Sequence, residues 1–156
     1  VPANEFMNLE GTKQSKSKGH AIYVKDVVDK YNPDSLRYAI ASNMPENKDT
    51  DFYWKDLQAK NNNELGAILG NFVNRTFVFA GKYFEGVVPQ AGEYAEIDNN
   101  IINSIKSYTS SIASYYENYK FKDALSETMN LVRDANKYFN DYKCLPAVMQ
   151  YVRNTF

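Results

Sequence analysis

The sequence has little of three features from which a class of protein can be assigned directly: cysteine, histidine and long apolar runs. Cys144 and His20 are the only residues of their types. One cysteine forms no disulfide within the chain, which is typical of a reducing compartment. One cysteine and one distant histidine do not make a zinc set, so we predict no metal site. No apolar run is long enough to cross a bilayer and no signal peptide is present, so we predict a cytoplasmic protein without a membrane partner.

An excess of positive charge is also missing. The 18 basic and 19 acidic residues give a formal net charge of −1. This balance argues against a protein that coats DNA or RNA through bulk charge, and we predict no DNA partner. A local basic surface remains open, because residues 11–20 carry Lys13, Lys16 and Lys18 and no acid.

The chain also lacks an initiator methionine, and it opens on "VPANEFMNLEG". Phe6, Met7 and Leu9 resemble the end of a strand whose partners lie elsewhere. We therefore expect a fragment of a longer protein. Its 156 residues are enough for an ordinary core.

Apolar residues at helical spacing are what the sequence does have. Val24, Val28 and Tyr31 predict a short helix, which Asn32-Pro33 breaks. A second helix is predicted to begin at Pro33 and to stop before Pro45.

A long third helix is predicted from an N-cap at Asp51 through "LQAKNNNELGAILGNFVNRTFVFAGKYFEG". Gly66 and Gly70 weaken it, by about 1 kcal/mol each relative to alanine. Their spacing of four indicates either close approach of a neighbouring helix or ordinary helical glycines. The only tryptophan, Trp54, lies near the start of this helix, where we predict a packing role.

Two more helices complete the pattern. Steps of three and four define one face of the first, which we predict to be core: Ile97, Ile101, Ile105, Tyr108, Ile112, Tyr115 and Tyr119. The second presents a similar face from Phe121 to Phe139. We therefore predict an all-α fold, an antiparallel helix bundle, with strands conceivable only near residues 6–9 and 21–24. Residues 1–45 would form a loop with linker helices, and residues 46–156 the bundle.

The short cationic stretch "KQSKSKG", residues 13–19, carries candidate chemistry. Its ammonium groups could neutralise a polyphosphate, and its hydroxyls and backbone amides could donate hydrogen bonds to it. A solvated lysine–serine loop without a partner is the alternative from composition alone, because this is not the glycine-rich phosphate-binding pattern.

The surrounding residues favour a partner. The stretch "GTKQSKSKGHAIYVKDVVDKYNPDSLRYAIASNMPENKDTDF" resembles the signature region of class I aminoacyl-tRNA synthetases, and of methionyl-tRNA synthetases in particular. The family pattern is K-M-S-K-S, then a basic residue and glycine. The resemblance continues through "NNNELGAILGNFVNRTFVFAGKYFEG" to "LVRDANKYFND", so it covers nearly the whole chain.

This resemblance implies a role for the loop. In the family it closes over ATP, bound with Mg²⁺, and stabilises pyrophosphate as the aminoacyl-adenylate forms. Lys16 and Lys13 match the two lysines. Ser15 and Ser17 match the serines that shape the loop. Gln14 replaces the usual methionine, and we expect activity to survive that change.

Asn71 and Arg75 are four residues apart, so they share one side of the long helix. Their amide and guanidinium groups suit unstacked RNA bases, although a solvated polar face is the alternative. The resemblance implies that both residues contact the anticodon of tRNA(Met). The family's stacking tryptophan has no counterpart after "ANKYF", and Leu145 falls near its place.

The resemblance thus implies the tRNA-recognition fragment of a methionine–tRNA ligase, whose whole enzyme joins methionine to its tRNA with ATP. The family's H-I-G-H motif is absent, so we expect the fragment alone to be inactive and to bind no cofactor by itself. Two alternatives remain open: a class I synthetase for another amino acid, such as cysteine or leucine, and a helical protein-interaction module with no RNA role.

Overall fold

The protein is described by a computed structural model, which describes residues 3–88 and 90–141. It is mostly helical, as predicted. The elements in chain order are β1 (Met7–Leu9), α1 (Val24–Val28), α2 (Pro33–Ala41), β2 (Thr50–Phe52), α3 (Trp54–Ala59), a π-helical segment (Lys60–Gly70), α4 (Asn71–Phe84), α5 (Glu96–Glu117) and α6 (Phe121–Asp141).

A small parallel sheet departs from the predicted all-α fold. β1 pairs with β2, with Met7 opposite Thr50 and Leu9 opposite Phe52. The strand expected near residues 6–9 is confirmed, whereas the one near residues 21–24 is wrong because Val24 begins α1. β2 was missed because three residues are too short to show the alternation that identifies a strand.

The best-buried cluster lies on this sheet. Leu9, Ala39, Phe52 and Leu57 form it. Trp54 packs against the cluster, edge-on to Phe52 with ring centroids 5.2 Å apart. The packing role predicted for Trp54 is therefore confirmed. The sheet joins residues from both sides of the predicted division at residue 45, and that division stays a prediction.

The short helix α2 begins where the sequence indicated. Asn32 is its N-cap, and its Oδ1 accepts hydrogen bonds from the backbone N–H of Asp34 at 2.9 Å and of Ser35 at 3.3 Å. Pro33 occupies the first turn, where its missing N–H costs nothing.

The predicted N-cap of the long helix is wrong. Asp51 lies in β2, opposite Asn8, and the helix begins at Trp54. The Trp54 N–H instead donates to the Glu10 carboxylate at 2.9 Å. Glu10, which is distant in sequence, therefore acts as the cap of the long helix. Capping residues are sought directly before a helix, so the sequence did not reveal it.

Helical backbone runs without interruption from residue 54 to 84 through α3, the π segment and α4, which together we call the long helix. A Cβ on Gly70 would lie 3.1 Å from the carbonyl oxygen of Leu65, and one on Gly66 would lie 3.3 Å from that of Asn61. Both carbonyls are five residues back in the same helix. The close approach at both positions therefore comes from the helix's own widened turns, and among the described residues no other helix comes within 4 Å of either added Cβ.

α5 and α6 run antiparallel. Tyr108 Oη donates to Asp134 at 2.8 Å, and the Tyr116 and Phe121 rings meet edge to face at 5.8 Å beside the connection between the helices. Tyr138 near the end of α6 reaches Asp98 near the start of α5.

The apolar face predicted as core is only partly covered. Within the described residues of α5, Asp98 is the single buried one. Ile97 and Ile105 are 37% and 45% exposed. One helix, α6, covers one side of this face, so the prediction that the whole face is core is wrong for these positions.

Candidate functional site

The candidate phosphate-binding loop is held by a tight turn that follows β1. Leu9 and Thr12 exchange backbone hydrogen bonds of 2.9 and 3.0 Å. Glu10 and Gly11 between them have φ of 50° and 76°, the left-handed values of a two-residue hairpin turn. The Glu10 N–H also donates to the Phe52 carbonyl at 3.0 Å, so the base of the loop is bonded to β2.

A second chain reversal presents the loop's tip. Ser15 and His20 exchange backbone hydrogen bonds of 2.7 and 3.0 Å. Gly19 completes the turn with φ +67°, a conformation that favours glycine, and its N–H donates to the Lys16 carbonyl at 3.1 Å. Lys16 and Ser17 are exposed at this tip. The tip that carries Lys16 is therefore part of a hydrogen-bonded hairpin.

The predicted loop residues fall into two groups. Ser15 Oγ and Ser17 Oγ lie 3.2 Å apart, so the structure brings the two serines together. Lys13 lies lower, with its Nζ 5.2 Å from the centre of the exposed Phe6 ring. The exposed Lys16 can bind an anion from solvent, whereas the Lys13 ammonium packs on an aromatic ring.

Two residues to which the sequence assigned no loop-shaping role fasten this hairpin. Gln14 Nε2 donates to the Met7 carbonyl at 3.0 Å, and the His20 ring nitrogen Nε2 lies 3.1 Å from the Leu9 carbonyl oxygen. Both partners belong to β1. Contacts of this kind leave no local pattern, because each joins a side chain to the backbone of a folded partner.

Arg75 on α4, one of the two predicted RNA-contacting residues, makes two side-chain contacts with α6. Its guanidinium donates to Asn140 Oδ1 at 2.7 Å and lies 4.8 Å from the centre of the Phe139 ring. Asn71, one turn earlier, is exposed. The structure thus keeps Asn71 and Arg75 on one side of α4 and adds two α6 residues that sequence reasoning missed.

α6 also contacts the π segment. Asn136 Nδ2 donates to the Ile68 carbonyl at 3.1 Å and to its own helix at Val132, at 3.3 Å. Asn136 therefore satisfies a carbonyl in the widened segment just before the Asn71–Arg75 turn. Its contact, together with that of Asn140, fixes α6 beside the long helix.

Polar contacts join α2 to the long helix. Tyr38 Oη donates to Glu64, and Lys60 Nζ lies 2.9 Å from Glu64 Oε1. Burial alone would raise the pKa of the Glu64 carboxyl, but the hydrogen bonds from Tyr38 and Lys60, with the charges of Lys60 and Arg133, lower that pKa below its ordinary value. Burial and the same hydrogen bond raise the pKa of Tyr38 far above its ordinary value.

The loop and the arginine site occupy different parts of the chain. Among residues 3–88 and 90–141, no hydrogen bond or ion pair links the hairpin residues 13–19 to Asn71 or Arg75. The same ranges hold no cluster of three His, Cys, Asp or Glu side chains suited to a metal ion.

The first half of the chain resembles a known sequence family. Residues 1–77 match the sequence family described as tRNA synthetases class I (M). This match includes the hairpin, the sheet, α2 and the turn that carries Asn71 and Arg75.

The individual relatives are more specific. The chain is 52% identical over 143 residues to the methionine–tRNA ligase of Christiangramia forsetii, and 51% identical to that of Flavobacterium johnsoniae. Its fold matches the Mycobacterium tuberculosis methionyl-tRNA synthetase in complex with methionyl-adenylate, with a TM-score of 0.81, 25% identity and 88% of this chain covered. The chain is thus similar to methionine–tRNA ligases along most of its own length.

The matches cover most of this chain but only a small part of each relative. They cover 90% of this chain but only 21% and 20% of the two ligases, and 27% of the mycobacterial chain. The chain therefore spans about a fifth of the length of the curated relatives that it matches.

Proposed function

We propose that this chain is the part of a methionine–tRNA ligase that carries the KMSKS-type loop and contacts the tRNA anticodon. The observation that carries the proposal is the fixed Arg75 guanidinium beside the exposed Asn71, in a chain whose relatives are methionine–tRNA ligases. An arginine held from two sides loses little further entropy when it binds a base or a phosphate.

The loop is proposed to act on ATP in the complete enzyme. Lys16 at the exposed tip would neutralise charge on the triphosphate, which binds with Mg²⁺, and on the pyrophosphate that leaves as methionyl-adenylate forms. Lys13 would supply a second cation once it leaves the Phe6 ring. The close Ser15 and Ser17 hydroxyls would shape the tip and donate hydrogen bonds.

The second role is recognition of tRNA(Met). Asn71 would donate in-plane hydrogen bonds to an unstacked anticodon base, and Arg75 would bind a neighbouring base or phosphate. The stacking tryptophan of the family has no counterpart, and the nearby Leu145 lies outside the described residues. We therefore expect the isolated chain to discriminate anticodons weakly or not at all.

The whole protein would attach methionine to its tRNA with ATP, in the cytoplasm. The isolated chain, which lacks the H-I-G-H motif, would not activate methionine and would hold no cofactor alone. Within the described ranges, no helix is both long and apolar enough to cross a membrane.

The test is discrimination between anticodons by the full-length ligase. Its affinity for initiator tRNA with the CAU anticodon is compared with that for an altered anticodon, across salt concentrations. Arg75→Ala should reduce the preference for CAU about tenfold, because a charge-assisted base contact contributes roughly 1–3 kcal/mol of discrimination. Lys82→Ala, which removes another cation from α4, is the control and should preserve the preference.

Two results would count against the proposal. Equal preference for CAU in Arg75→Ala and in the unmodified protein would remove the anticodon role. Binding of tRNA that does not respond to salt, or no binding at all, would favour the helical protein-interaction module.

A further inference from the structure

A groove lies where the end of α1, the start of α2 and the first turns of the long helix meet. Its volume is about 630 Å³, which is within the range of roughly 300–1,000 Å³ typical of small-molecule sites. Residues 30–35 and 54–62 supply its lining side chains, and we call it the Trp54 groove. Among the described residues, neither hairpin residues 13–19 nor the Asn71–Arg75 turn lines it, so it is distinct from both sites above.

A stack of aromatic rings forms one wall of the groove. The Tyr31 ring lies on the Trp54 ring, with centroids 5.3 Å apart and planes 22° apart. Trp54 in turn meets Phe52 edge-on and packs against the buried cluster, which fixes its position. Tyr31 remains 46% exposed. A flat ring from solvent can therefore extend the stack at a low cost in entropy, because the rings that it would join are already in place.

Positive charge lies beside this wall. Lys30 and Lys55 both line the groove and are both exposed. Lys55 Nζ lies 5.3 Å from the centre of the Tyr53 ring, and among the described residues neither lysine forms an ion pair. None of the described lining residues carries a carboxylate, and Glu10, which bonds to the Trp54 N–H, lies outside the lining. The groove therefore offers two ammonium groups to an anion.

The amide side chains of the groove present donors rather than acceptors. Asn32 Oδ1 already accepts from the backbone N–H groups of Asp34 and Ser35. Ser35 Oγ donates to Asn61 Oδ1 at 2.8 Å, and Asn61 Nδ2 donates to Asn62 Oδ1 at 3.1 Å. These bonds use the oxygens of all three amides and leave N–H groups of Asn32 and Asn62 for a ligand. Such donors suit the oxygens of an ionised phosphate, which only accept hydrogen bonds.

We propose that the Trp54 groove binds a nucleotide. The base stacks on Tyr31, and the phosphate lies against Lys30 and Lys55. Asn32 and Asn62 donate hydrogen bonds to the phosphate oxygens. A free nucleoside monophosphate and one nucleotide of an RNA strand share this chemistry, so both are tested. The site uses neither the hairpin nor the anticodon-contacting pair, and it therefore goes beyond the proposed function.

Ligands of other chemistry match only part of the groove. A purely apolar ligand would bury the amide donors without partners, which costs free energy. An inorganic anion or an acidic peptide would pair with Lys30 and Lys55 but would stack nothing on Tyr31. A nucleotide uses the aromatic wall, the cations and the amide donors together.

Trp54 makes the test direct, because it is the only tryptophan in the sequence. The 156-residue chain is titrated with adenosine monophosphate (AMP), which should quench the tryptophan fluorescence and saturate. Lys30→Ala should raise the AMP concentration at half-saturation about fivefold or more, because a cation beside the phosphate is removed. Lys106→Ala, which removes an exposed lysine of α5, is the matched control and should leave that concentration unchanged.

Tyr31→Ala tests the aromatic wall. It should raise the AMP concentration at half-saturation about tenfold, because the base loses the ring on which it stacks. Circular dichroism shows whether the variant folds. Lys30→Ala changes an exposed side chain, so it tests the proposal even if Tyr31→Ala unfolds.

A single-stranded hexamer of adenylate separates the two sources of the nucleotide. If the hexamer reaches half-saturation at a concentration more than about tenfold below that of AMP, the groove holds one nucleotide of an RNA strand. Otherwise it holds a free nucleotide. Either result supports the nucleotide chemistry, provided that Lys30→Ala weakens the binding.

Three results would overturn the proposal. One is the absence of saturable quenching by both AMP and the hexamer, and another is equal half-saturation in Lys30→Ala and Lys106→Ala. The third is displacement of AMP by a hexaglutamate peptide at a lower concentration than by the hexamer, which would assign the groove to acidic proteins. None of these measurements involves anticodon discrimination or adenylate formation, so failure here is distinguishable from failure of the proposed function.

Discussion

At the residue scale, the candidate RNA site depends on side chains that sequence reasoning did not select. The proposed pair, Asn71 and Arg75, was identified from its spacing and from the family resemblance. Phe139 and Asn140, which hold Arg75, come from a helix some 65 residues later. No local spacing reveals such a contact, because it exists only after α6 packs beside the long helix.

The Asn140 contact gives the first prediction. Asn140→Ala should lower the free energy of unfolding by about 1.5 kcal/mol, since a hydrogen bond from a charged group is lost. In the full-length ligase it should also weaken the preference for CAU, because Arg75 is held less firmly. Chemical denaturation and tRNA titration measure the two effects. Asn130→Ala, on the same helix, is the matched control: it also removes a hydrogen bond from an arginine, that of Arg133 at 2.9 Å, and should leave the preference unchanged.

Glu64 gives a prediction about pH. Its pKa is lower in the folded protein than its ordinary value of 4.5, so its ionised form stabilises the fold above pH 4.5. That contribution is lost as the pH falls through the lower, folded pKa. Glu64→Gln should therefore destabilise the protein at pH 7, and progressively less as the pH falls below 4.5. Urea denaturation from pH 3 to 7 measures it, and a cost that stays constant with pH would contradict the assignment.

At the scale of elements, helices were predicted well and strands poorly. Periodic apolar spacing located α1, α2, α5 and α6, because helical contacts are local. β2 and the true cap of the long helix escaped prediction because each needs a partner far along the chain, Met7–Leu9 and Glu10 respectively. The widened geometry of the π segment has no signal in apolar spacing either.

The glycines of the long helix allow a matched test of that geometry. Gly70→Ala should destabilise the protein, because the added Cβ would lie 3.1 Å from the Leu65 carbonyl oxygen. Gly81→Ala should stabilise it by up to about 1 kcal/mol, since nothing lies within 4 Å of its Cβ and alanine favours helix. Thermal unfolding of both variants gives the comparison. Equal stabilisation by both would contradict the widened turn at Gly70.

At the scale of the whole molecule, the two candidate surfaces are separate. A substitution in one should leave the function of the other unchanged. The hairpin tip carries Lys16, and α4 carries Arg75. The role of the loop was predicted from its residue pattern and stays a prediction, whereas its hydrogen-bonded base could be read only from the structure. The division of labour between the two surfaces follows from the family resemblance and stays a prediction.

Lys16→Ala tests this separation in the full-length ligase. It should slow formation of methionyl-adenylate at least tenfold, because a cation beside the leaving pyrophosphate is removed. Affinity for the CAU anticodon should not change. Pyrophosphate exchange and tRNA titration measure the two quantities. Lys106→Ala, an exposed lysine on α5, is the control, and an unchanged activation rate in Lys16→Ala would remove the proposed role.

Glu10 connects the hairpin to the first turn of the long helix. Its backbone bonds to Phe52 and its carboxylate to the first turn of the long helix, while its neighbours form the base of the hairpin. The start of the helix that carries Arg75 and the base of the hairpin that carries Lys16 are therefore both bonded to Glu10. Loss of the Glu10 carboxylate would leave the first turn of the helix without its cap, while the Glu10 backbone would still bond the hairpin to β2.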